Sequence, residues 1–497
     1  MLKKTLHIGL IAGMSLLFSC KDFSEMNTDP NRATTTHPQL QLTKIEWEAF
    51  RDFGGTTPLY ATKMLVQTDG ENTAQYYKWG RGDFSAYGRL RDITKMNEEA
   101  IRIGVPSYSA LAKFFRAYYF YNLTLTFGDV PYTQALQAES ETEPYFAPVY
   151  DDQKTVLKGV LKELEEANDI LSKENTIING DIIYSGSVAQ WRKLVNSFRL
   201  KVLLSLSKRT GEADLNIVSS FKNIYQTQPL LSGTIDNGQL VFRDQQDNRY
   251  PEFNSSGFGS GMYMDSTFIK LLQDKQDPRL FIFCTQTKLG KEAGKPESDF
   301  TSYEGGDPAA PYAQVNLKAA AGKTSKVKER YYQDPTTEPR VLVSYAEQQL
   351  ILAEAAVRGW IDGNAGTFFN QAVKGSFKFY ETYAKGLNAY VSEDAAGMYL
   401  AHAANNFSAA ASDEERIKMI ITEKYIESFF QNGWTAFREH LRTGYPAFRR
   451  PSGVTIPFRW IYPQSEYNFN AKNVGAAIKT QFGEGNDEIN KATWWVK

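Results

Sequence analysis

Apolar side chains recur at helical spacing in several long stretches of the chain, and this pattern limits the fold more than any other feature. The clearest stretches cover residues 110–125, 152–171, 188–206 and 413–430. From Val156 to Leu171 a stripe of apolar residues faces one way and Lys and Glu face the other, which is typical of an amphipathic helix. Ser187 can cap the helix that follows it. Helical periodicity already begins near Lys44, so the sequence predicts a mostly α-helical protein.

The stretches at 341–360 and 363–386 predict a pair of helices joined by a short turn that contains glycine. Large and small apolar residues alternate along both, with alanines at 353 and 355 in the first stretch and at 365 and 372 in the second. This layout resembles a tetratricopeptide unit, in which alanines let two antiparallel helices approach closely. A general antiparallel helix pair fits the periodicity equally well.

Residues 234–340 have a different texture from the rest of the chain. The segments 254–263 and 286–337 are rich in Gly, Pro, Ser and Lys, and 266–273 is the one part with a helical pattern. Long irregular insertions in a packed chain are usually functional loops or disordered segments. The scattered aromatic residues favour functional loops. A second loop-rich stretch, punctuated by prolines, runs from 443 to 497.

The first twenty residues predict a lipoprotein signal. Lys3 and Lys4 precede an apolar run that ends at Ser19 and Cys20. The run has the length of a signal-peptide core and is too short to span a bilayer, whereas a buried first helix is the competing interpretation. We expect residues 1–19 to be removed and the Cys20 thiol to carry a diacylglycerol. Residues 20–43, rich in Asn, Asp, Thr and Pro, then form a lipidated flexible tether.

Composition excludes several classes of protein. Lys and Arg number 56 against 57 Asp and Glu, so the near-neutral chain lacks the basic surface expected of a nucleic-acid-binding protein. The second cysteine, Cys284, lies in an apolar run with no basic neighbour, which favours a buried small side chain over a nucleophile. No second apolar run could span a membrane. The chain is therefore expected to be anchored to a membrane but not to cross it.

Motifs for catalysis are absent from the sequence. The three histidines after the signal, His37, His402 and His440, show no zinc-binding spacing. Gly257-Phe-Gly-Ser-Gly261 lacks the Lys-Ser/Thr ending of a phosphate-binding loop, and no G-x-S-x-G motif occurs. A glycosidase needs two suitably placed carboxylates, which counting acids cannot exclude. No cofactor is expected. Calcium is the one ion that loop carboxylates such as Asp69, Glu71, Asp83 and Asp265 could suit.

Short motifs in a fixed order carry a family resemblance along almost the whole chain. They are Ser19-Cys20, Asn27-Thr-Asp-Pro-Asn31, Ala112-Lys-Phe-Phe-Arg-Ala117, Phe127-Gly-Asp-Val-Pro-Tyr132, Tyr150-Asp-Asp-Gln153, Trp191-Arg-Lys-Leu-Val-Asn-Ser-Phe-Arg-Leu200, Asp277-Pro-Arg279, Ser344-Tyr-Ala-Glu347, Arg442-Thr-Gly-Tyr-Pro446 and Pro457-Phe-Arg-Trp-Ile-Tyr-Pro463. Together they resemble the SusD/RagB family of surface lipoproteins in Bacteroidota.

The resemblance implies both a fold and a role. Members have a scaffold of tetratricopeptide-like helix pairs, with irregular insertions that form a ligand-binding face. They bind oligosaccharides or sometimes peptides and pass them to a SusC-like TonB-dependent outer-membrane transporter, with no bond made or broken. The resemblance thus implies a lipid-anchored, surface-exposed protein of the outer membrane that is not an enzyme.

Aromatic side chains in loops are the candidates for ligand contact, because a sugar ring packs its C–H groups on an aromatic face. Tyr76, Tyr77 and Trp79 lie in a loop between helices, in the N-terminal region that often contributes to the binding face in the family. Tyr303 and Tyr312 in the long insertion are further candidates, together with the pair at 331–332. The competing interpretation is that these rings cover the core, the commoner fate of a large aromatic side chain.

These expectations combine into one description. Residues 44–497 form a single helical domain, with a loop-rich insertion at about 234–340 and a loop-rich tail at about 443–497. The domain binds a nutrient, most simply a glycan, and delivers it to the transporter. The alternatives are a peptide-binding lipoprotein of the same architecture and an exported glycoside hydrolase.

Overall fold

The computed structural model describes residues 35–51, 53–139 and 145–497 of the chain. The predicted signal peptide at 1–19, the lipidation site Cys20 and residues 21–34 of the predicted tether lie outside the described residues. Residues 38–43, which the sequence assigns to the tether, instead form the first turns of a helix. Pro38 suits a helix start because its missing N–H would have no partner there, and Leu42 is fully buried.

The first half of the chain builds a layer of consecutive helices. Its elements are α1 (Pro38–Arg51), α2 (Thr57–Ala61), β1 (Leu65–Gln67), α3 (Ala86–Ile103), α4 (Pro106–Phe127), α5 (Gln153–Leu171), α6 (Val188–Ser205) and α7 (Ile217–Thr227). Helix α4 packs against both α3 and α5, α5 packs against α6, and α6 packs against α7. This succession of packed neighbours confirms the predicted helical scaffold.

The insertion contains more regular structure than its sequence suggests. Its elements are β2 (Gly238–Leu240), α8 (Gly257–Ser260), β3 (Met262–Met264), α9 (Ser266–Asp274), α10 (Leu280–Phe283), α11 (Lys288–Glu292), α12 (Tyr312–Ala320) and α13 (Arg330–Gln333). Strand β3 pairs antiparallel with β1, with Leu65 opposite Met264. The insertion is therefore joined to the N-terminal part of the chain by backbone hydrogen bonds.

The scaffold resumes after the insertion and continues into the tail. Its elements are β4 (Arg340–Val343), α14 (Tyr345–Val357), α15 (Ala365–Tyr383), α16 (Glu393–Ala401), α17 (Asp413–Glu427), α18 (Gly433–Thr443), α19 (Gln464–Phe469) and α20 (Ala471–Phe482). Helices α14 and α15 pack on each other, as predicted, and α14 also packs on α17 and α6. The tail at 443–497, predicted as loop-rich, contains α19 and α20.

The predicted helix at 341–360 begins later than its apolar pattern suggests. Residues 340–343 form β4, which pairs antiparallel with β2, and Ser344 then caps α14 by accepting a hydrogen bond from the N–H of Glu347. The run Val341-Leu-Val343 is fully buried and contains β-branched residues, which suit a buried strand. Side-chain caps also mark other helix starts, including Asp152 for α5, Ser187 for α6 and Ser412 for α17.

None of the helices in the described part of the chain is long and apolar enough to cross a membrane. Cys284 is completely buried next to α10, and burial raises the pKa of its thiol far above the usual range. This agrees with its predicted role as a small core side chain.

A buried ion-pair cluster joins the insertion to the scaffold. The guanidinium of Arg279 is inaccessible to solvent and pairs with Asp277 at 2.7 Å and with Glu423 of α17 at 2.8 Å. It also donates a hydrogen bond to the hydroxyl of Ser376 in α15. A buried charge is tolerated when its partners and hydrogen bonds satisfy it. Arg279 thereby fixes the end of α9 and the start of α10 against two scaffold helices.

Removing this guanidinium is expected to weaken the fold strongly. In Arg279→Met, Asp277 would be left buried without its cation and Glu423 would keep Lys275 and the hydroxyl of Tyr399, so the free energy of unfolding should fall by about 3–5 kcal/mol. Urea unfolding followed by circular dichroism measures the change. Arg249→Met is the matched control, because Arg249 pairs with Asp244 at an exposed site, and it should cost less than about 1 kcal/mol. Equal losses in the two variants would contradict this role for Arg279.

Candidate functional site

The loop after β1 places Tyr76 and Tyr77 in buried positions. Tyr77 has 3% of its surface exposed and donates a hydrogen bond to the carbonyl of Ala61 at 2.7 Å. The ammonium group of Lys63 lies over its ring, 3.9 Å from the centroid, and burial lowers the pKa of that ammonium. Tyr76 is 7% exposed and donates to the carbonyl of Ala310. Both rings are thus largely used by packing, as the competing interpretation of the sequence allowed.

The tyrosines of the insertion divide between core and surface. Tyr303 is 3% exposed and donates to the carbonyl of Glu297, and Tyr331 is fully buried. Tyr332 is half-buried and stacks on Phe258. Tyr312, at the start of α12, has 40% of its surface exposed. Among these candidates, Tyr312 has the most accessible ring.

Trp79 belongs to a cluster of three tryptophans that come from distant parts of the chain. Its ring stacks on that of Trp460 in the tail, with centroids 3.9 Å apart, and Trp434 of α18 meets both rings edge-on. All three side chains are partly exposed. We call Trp79, Trp434 and Trp460 the tryptophan cluster.

Backbone hydrogen bonds hold the segment around Trp460 in place. The N–H of Trp460 donates to the carbonyl of Thr126 in α4, and the N–H of Gly82 donates to the carbonyl of Ile461. The side chain of Arg459, which is fully buried, donates to the carbonyl of Phe127 and pairs with Asp487 at 2.6 Å. The tail, the loop at 79–82 and the end of α4 therefore meet at one place.

A pocket of about 350 Å³ opens beside the tryptophan cluster. Its lining combines aromatic rings with polar groups, and the described lining residues are Gly54, Thr57, Gly82, Asp83, Ser85, Ala86, Tyr119, Asn122, Leu123, Thr126, Phe127, Trp434 and Trp460. Ligand pockets commonly have apolar walls and a few polar groups that set the ligand's orientation. We call this the tryptophan pocket.

The polar groups of the tryptophan pocket are held in defined orientations. Asn122 donates to the carbonyl of Tyr118 and accepts from the guanidinium of Arg438 at 2.6 Å. Asp83 is exposed and accepts from the N–H of Ser85. The side chain of Thr126 donates to the carbonyl of Asn122. These groups can accept or donate hydrogen bonds to ligand hydroxyls next to an aromatic surface.

The tryptophan pocket is suited to binding and not to hydrolysis. Among its described lining residues, Asp83 is the one carboxylate, whereas hydrolysis of a glycosidic bond normally uses two carboxyl groups at a defined separation. Aromatic faces and neutral polar side chains provide stacking and hydrogen bonding without moving protons. The arrangement supports recognition of a molecule with both apolar faces and hydroxyl groups.

The sequence analysis selected Trp79, which stacks on Trp460 behind the pocket, but it did not select Trp434 or Trp460, which line the pocket. Trp460 stands between two prolines in the tail, and Trp434 follows Asn432-Gly433 at a helix start. The criterion that selected Trp79, an aromatic residue outside a long apolar stripe, would have selected both. Their convergence could not be predicted, because more than 350 residues separate Trp79 from Trp434 in the chain.

Two of the carboxylates considered for calcium are engaged with partners in the structure. Glu71 pairs with Lys78, and Asp265 is buried and caps α9 by accepting from Thr267. Within residues 35–51, 53–139 and 145–497, no group of three or more His, Cys, Asp or Glu side chains could hold a metal ion.

Comparison with known proteins gives a family match over most of the chain. Residues 30–463 match the SusD-like family described as starch-binding and associating with the outer membrane. A search of curated protein sequences gives no significant match.

Solved structures with high similarity cover nearly the whole chain. A SusD homologue from Bacteroides fragilis is 53% identical, with a TM-score of 0.88, and the match covers 93% of this chain and 100% of that one. A protein from Bacteroides vulgatus, described as an outer membrane protein with an inferred role in nutrient binding, is 51% identical, with a TM-score of 0.89 and the same coverage. A chitin-binding protein at 23% identity and a TM-score of 0.72 shares the fold.

Gly82 lines the tryptophan pocket, and a substitution there tests how closely Phe127 and Trp460 pack against it. A Cβ atom on Gly82 would lie 2.5 Å from the ring of Phe127 and 3.2 Å from Trp460. Gly82→Ala should therefore displace both rings, lower the free energy of unfolding by about 1–3 kcal/mol and alter tryptophan fluorescence. Gly80→Ala is the control, because a Cβ there meets nothing within 4 Å. Identical stability and emission spectra for the two variants would contradict the described packing.

Proposed function

Because this chain belongs to the SusD-like family of nutrient-binding proteins associated with the outer membrane, we propose that it is a surface lipoprotein that captures a glycan and delivers it to a SusC-like TonB-dependent transporter. Members of the family are binding proteins and not enzymes, so the hypothesis of an exported glycoside hydrolase is wrong. The observation that carries the proposed ligand class is the pairing of Trp434 and Trp460 with polar side chains in one pocket.

A sugar unit matches this pocket in both shape and chemistry. Its C–H groups would pack on the exposed surface of Trp434 or Trp460, and its hydroxyls would meet Asp83 and Asn122. The volume of about 350 Å³ lies near the lower end of the range for small-molecule sites, which suits one part of a longer glycan. Trp79 would act behind the pocket by holding Trp460 in a stacked position.

Tyr312 provides a second contact surface on the loop side of β1, next to the largely buried Tyr76. Tyr76 donates to Ala310, two residues before the exposed Tyr312, so the two side chains belong to one local surface. The exposed ion pair of Arg449 with Asp307 lies in the same region. In our proposal this surface provides additional contacts for an extended ligand.

The proposed attachment to the membrane rests on the sequence ending in Ser19-Cys20. A diacylglycerol on Cys20, with further acylation of the new N-terminus, would supply the several acyl chains that stable anchoring needs. The residues between Cys20 and α1 would keep the helical domain near the transporter and raise its effective concentration there.

Binding without turnover is the expected behaviour of the purified protein on a panel of glycans. At least one glycan should be retained, with no release of reducing ends over time. Trp434→Ala and Trp460→Ala should each weaken binding by roughly tenfold, since a stacked aromatic ring contributes about 1.5 kcal/mol. Asp83→Asn, at an exposed position, should weaken it by several fold without affecting folding.

Isothermal titration calorimetry measures these affinities, and circular dichroism verifies that each variant is folded. Phe469→Ala is the matched control, because Phe469 is an aromatic residue with 82% exposure on α19, outside the pocket, and its loss should leave affinity unchanged. Retention of peptides but of no glycan would favour the peptide-binding alternative. Unchanged glycan affinity in both tryptophan variants would show that the ligand binds elsewhere.

Loss of the acylated cysteine should separate ligand binding from uptake. Cys20→Ala is expected to leave the outer-membrane fraction and to bind the identified glycan with normal affinity. A strain that carries this variant should lose growth on that glycan, because the protein no longer stays beside its transporter. Cell fractionation with growth measurements tests this, and Cys284→Ala, which leaves the anchor intact, is the control. Normal uptake by the Cys20→Ala strain would contradict the role of the anchor.

A further inference from the structure

Arg438 of α18 lies behind the tryptophan pocket and contacts Asn122 of α4. Its Nη1 donates to the amide oxygen of Asn122 at 2.6 Å, and its Nη2 donates to the backbone carbonyl of the same residue at 3.4 Å. Trp434, which lines the pocket, precedes Arg438 by one turn of α18, so the two side chains lie on the same face of that helix. This contact therefore joins the helix that carries Trp434 to a residue of the pocket wall.

Asn122 belongs to the face of α4 that lines the tryptophan pocket. Tyr119, Leu123 and Thr126 line it too, and their spacing from Asn122 by one, three or four residues follows one side of the helix. The side chain of Asn122 is half-buried. Part of it is therefore accessible to a molecule in the pocket.

The guanidinium of Arg438 determines which way the Asn122 amide points. The oxygen and the NH2 group of an amide have nearly the same shape, but a guanidinium can only donate hydrogen bonds. A rotated amide would place its NH2 group against the donors of Arg438, so the oxygen has to face them. The NH2 group then lies on the opposite side, where it donates to the carbonyl of Tyr118 at 2.8 Å.

The second N–H of the Asn122 amide is free to donate to a ligand. Nδ2 carries two hydrogens, and among the described residues it makes one hydrogen bond, to Tyr118. Asp83, the one carboxylate among the described lining residues, provides acceptor oxygens. A sugar hydroxyl both donates and accepts, so a donor at Asn122 complements the acceptor at Asp83.

The charge of Arg438 is directed at the Asn122 amide and not at a carboxylate. No Asp or Glu side chain in the described ranges lies within 4 Å of its guanidinium, which otherwise lies 5.8 Å from the ring centroid of Tyr121. Arg279 and Arg459 each pair with carboxylates instead. A hydrogen bond from a charged donor is stronger than one from a neutral donor, and it polarises the amide so that the remaining N–H becomes a better donor.

We propose that Arg438 is a positioning residue of the tryptophan pocket, which orients and polarises the Asn122 amide so that its free N–H donates to an oxygen atom of a bound sugar unit. This inference rests on the proposed glycan binding and specifies which group of the pocket donates. Arg438 is not among the described residues that line the pocket, so its effect on the sugar passes through Asn122.

Melting temperatures without a ligand test the orientation of the amide. Asn122→Asp replaces the amide with a carboxylate of the same shape, which would form an ion pair with Arg438 in place of the amide contact. The substitution should therefore be more favourable for stability in the wild type than in Arg438→Met, where the new carboxylate has no cation. An effect that is no more favourable in the wild type would overturn the proposal.

Affinities for sugars test the donor. The probes are the glycans of the panel, among them maltohexaose, xylohexaose and chitohexaose, and isothermal titration calorimetry measures Kd for those that the wild type binds. Asn122→Asp keeps the contact with Arg438 but lacks the N–H, so it should weaken binding by about tenfold. Unchanged affinity in this variant would overturn the donor role of Asn122.

A double-mutant cycle tests whether Arg438 acts through Asn122. Arg438→Met should weaken binding by several fold in the wild type, because the amide is then free to rotate. In the Asn122→Ala background the same substitution should have no further effect. Arg438→Lys, which keeps the charge and a donor, should recover part of the affinity. An equal loss from Arg438→Met in both backgrounds would contradict the positioning role.

Arg192→Met is the matched control, because Arg192 of α6 makes the same kind of contact outside the pocket. It donates to the amide oxygen of Asn168 at 3.0 Å. This variant should change the melting temperature but not the affinity for sugars, and a loss of affinity equal to that of Arg438→Met would overturn the proposal. If the wild type binds no glycan of the panel, the proposed function fails, whereas the melting temperatures still decide whether Arg438 orients the amide.

Discussion

Buried guanidinium groups hold the irregular parts of this protein against its helices. Four such groups are each at most 4% exposed, and each pairs with a carboxylate from another segment of the chain. They belong to Arg279, Arg340, Arg442 and Arg459. Arg340 joins β4 to Glu252 of the insertion, and Arg442 joins the end of α18 to Glu354 of α14. Such groups are costly to bury unless their partners are in place, so each irregular segment is restricted to one position on the scaffold.

The tryptophan pocket depends on this constraint. Arg459 precedes Trp460, and its contacts with Phe127 and Asp487 decide where the ring of Trp460 lies. Trp460 in turn supports Trp79 by stacking and Trp434 by an edge-on contact. A pocket whose lining comes from the tail, from loops and from α2, α3, α4 and α18 would lose binding energy if these parts had to be ordered by the ligand. The buried pairs supply that order beforehand.

The sequence predicts the scaffold well because its signals are local. Asp152, Ser187 and Ser412 cap helices whose apolar stripes face the core, and the helix pair after β4 appears as expected. Strand β4 was missed because its pairing partner, β2, lies about a hundred residues earlier. The same limit applies to the candidate ligand contacts: the loop position of Trp79 is visible in the sequence, whereas the burial of Tyr77 and Tyr303 depends on distant packing.

Some buried acids are stabilised by hydrogen bonds and not by a cation. Among the described residues no lysine or arginine pairs with Asp181, but it accepts hydrogen bonds from three backbone N–H groups and from the indole of Trp191. Asp129 accepts from the N–H of Gln153. These carboxylates are stabilised by the protein itself. Asp181 thereby ties residues 183–186 to the start of α6, in the same way that the guanidinium pairs position the tail.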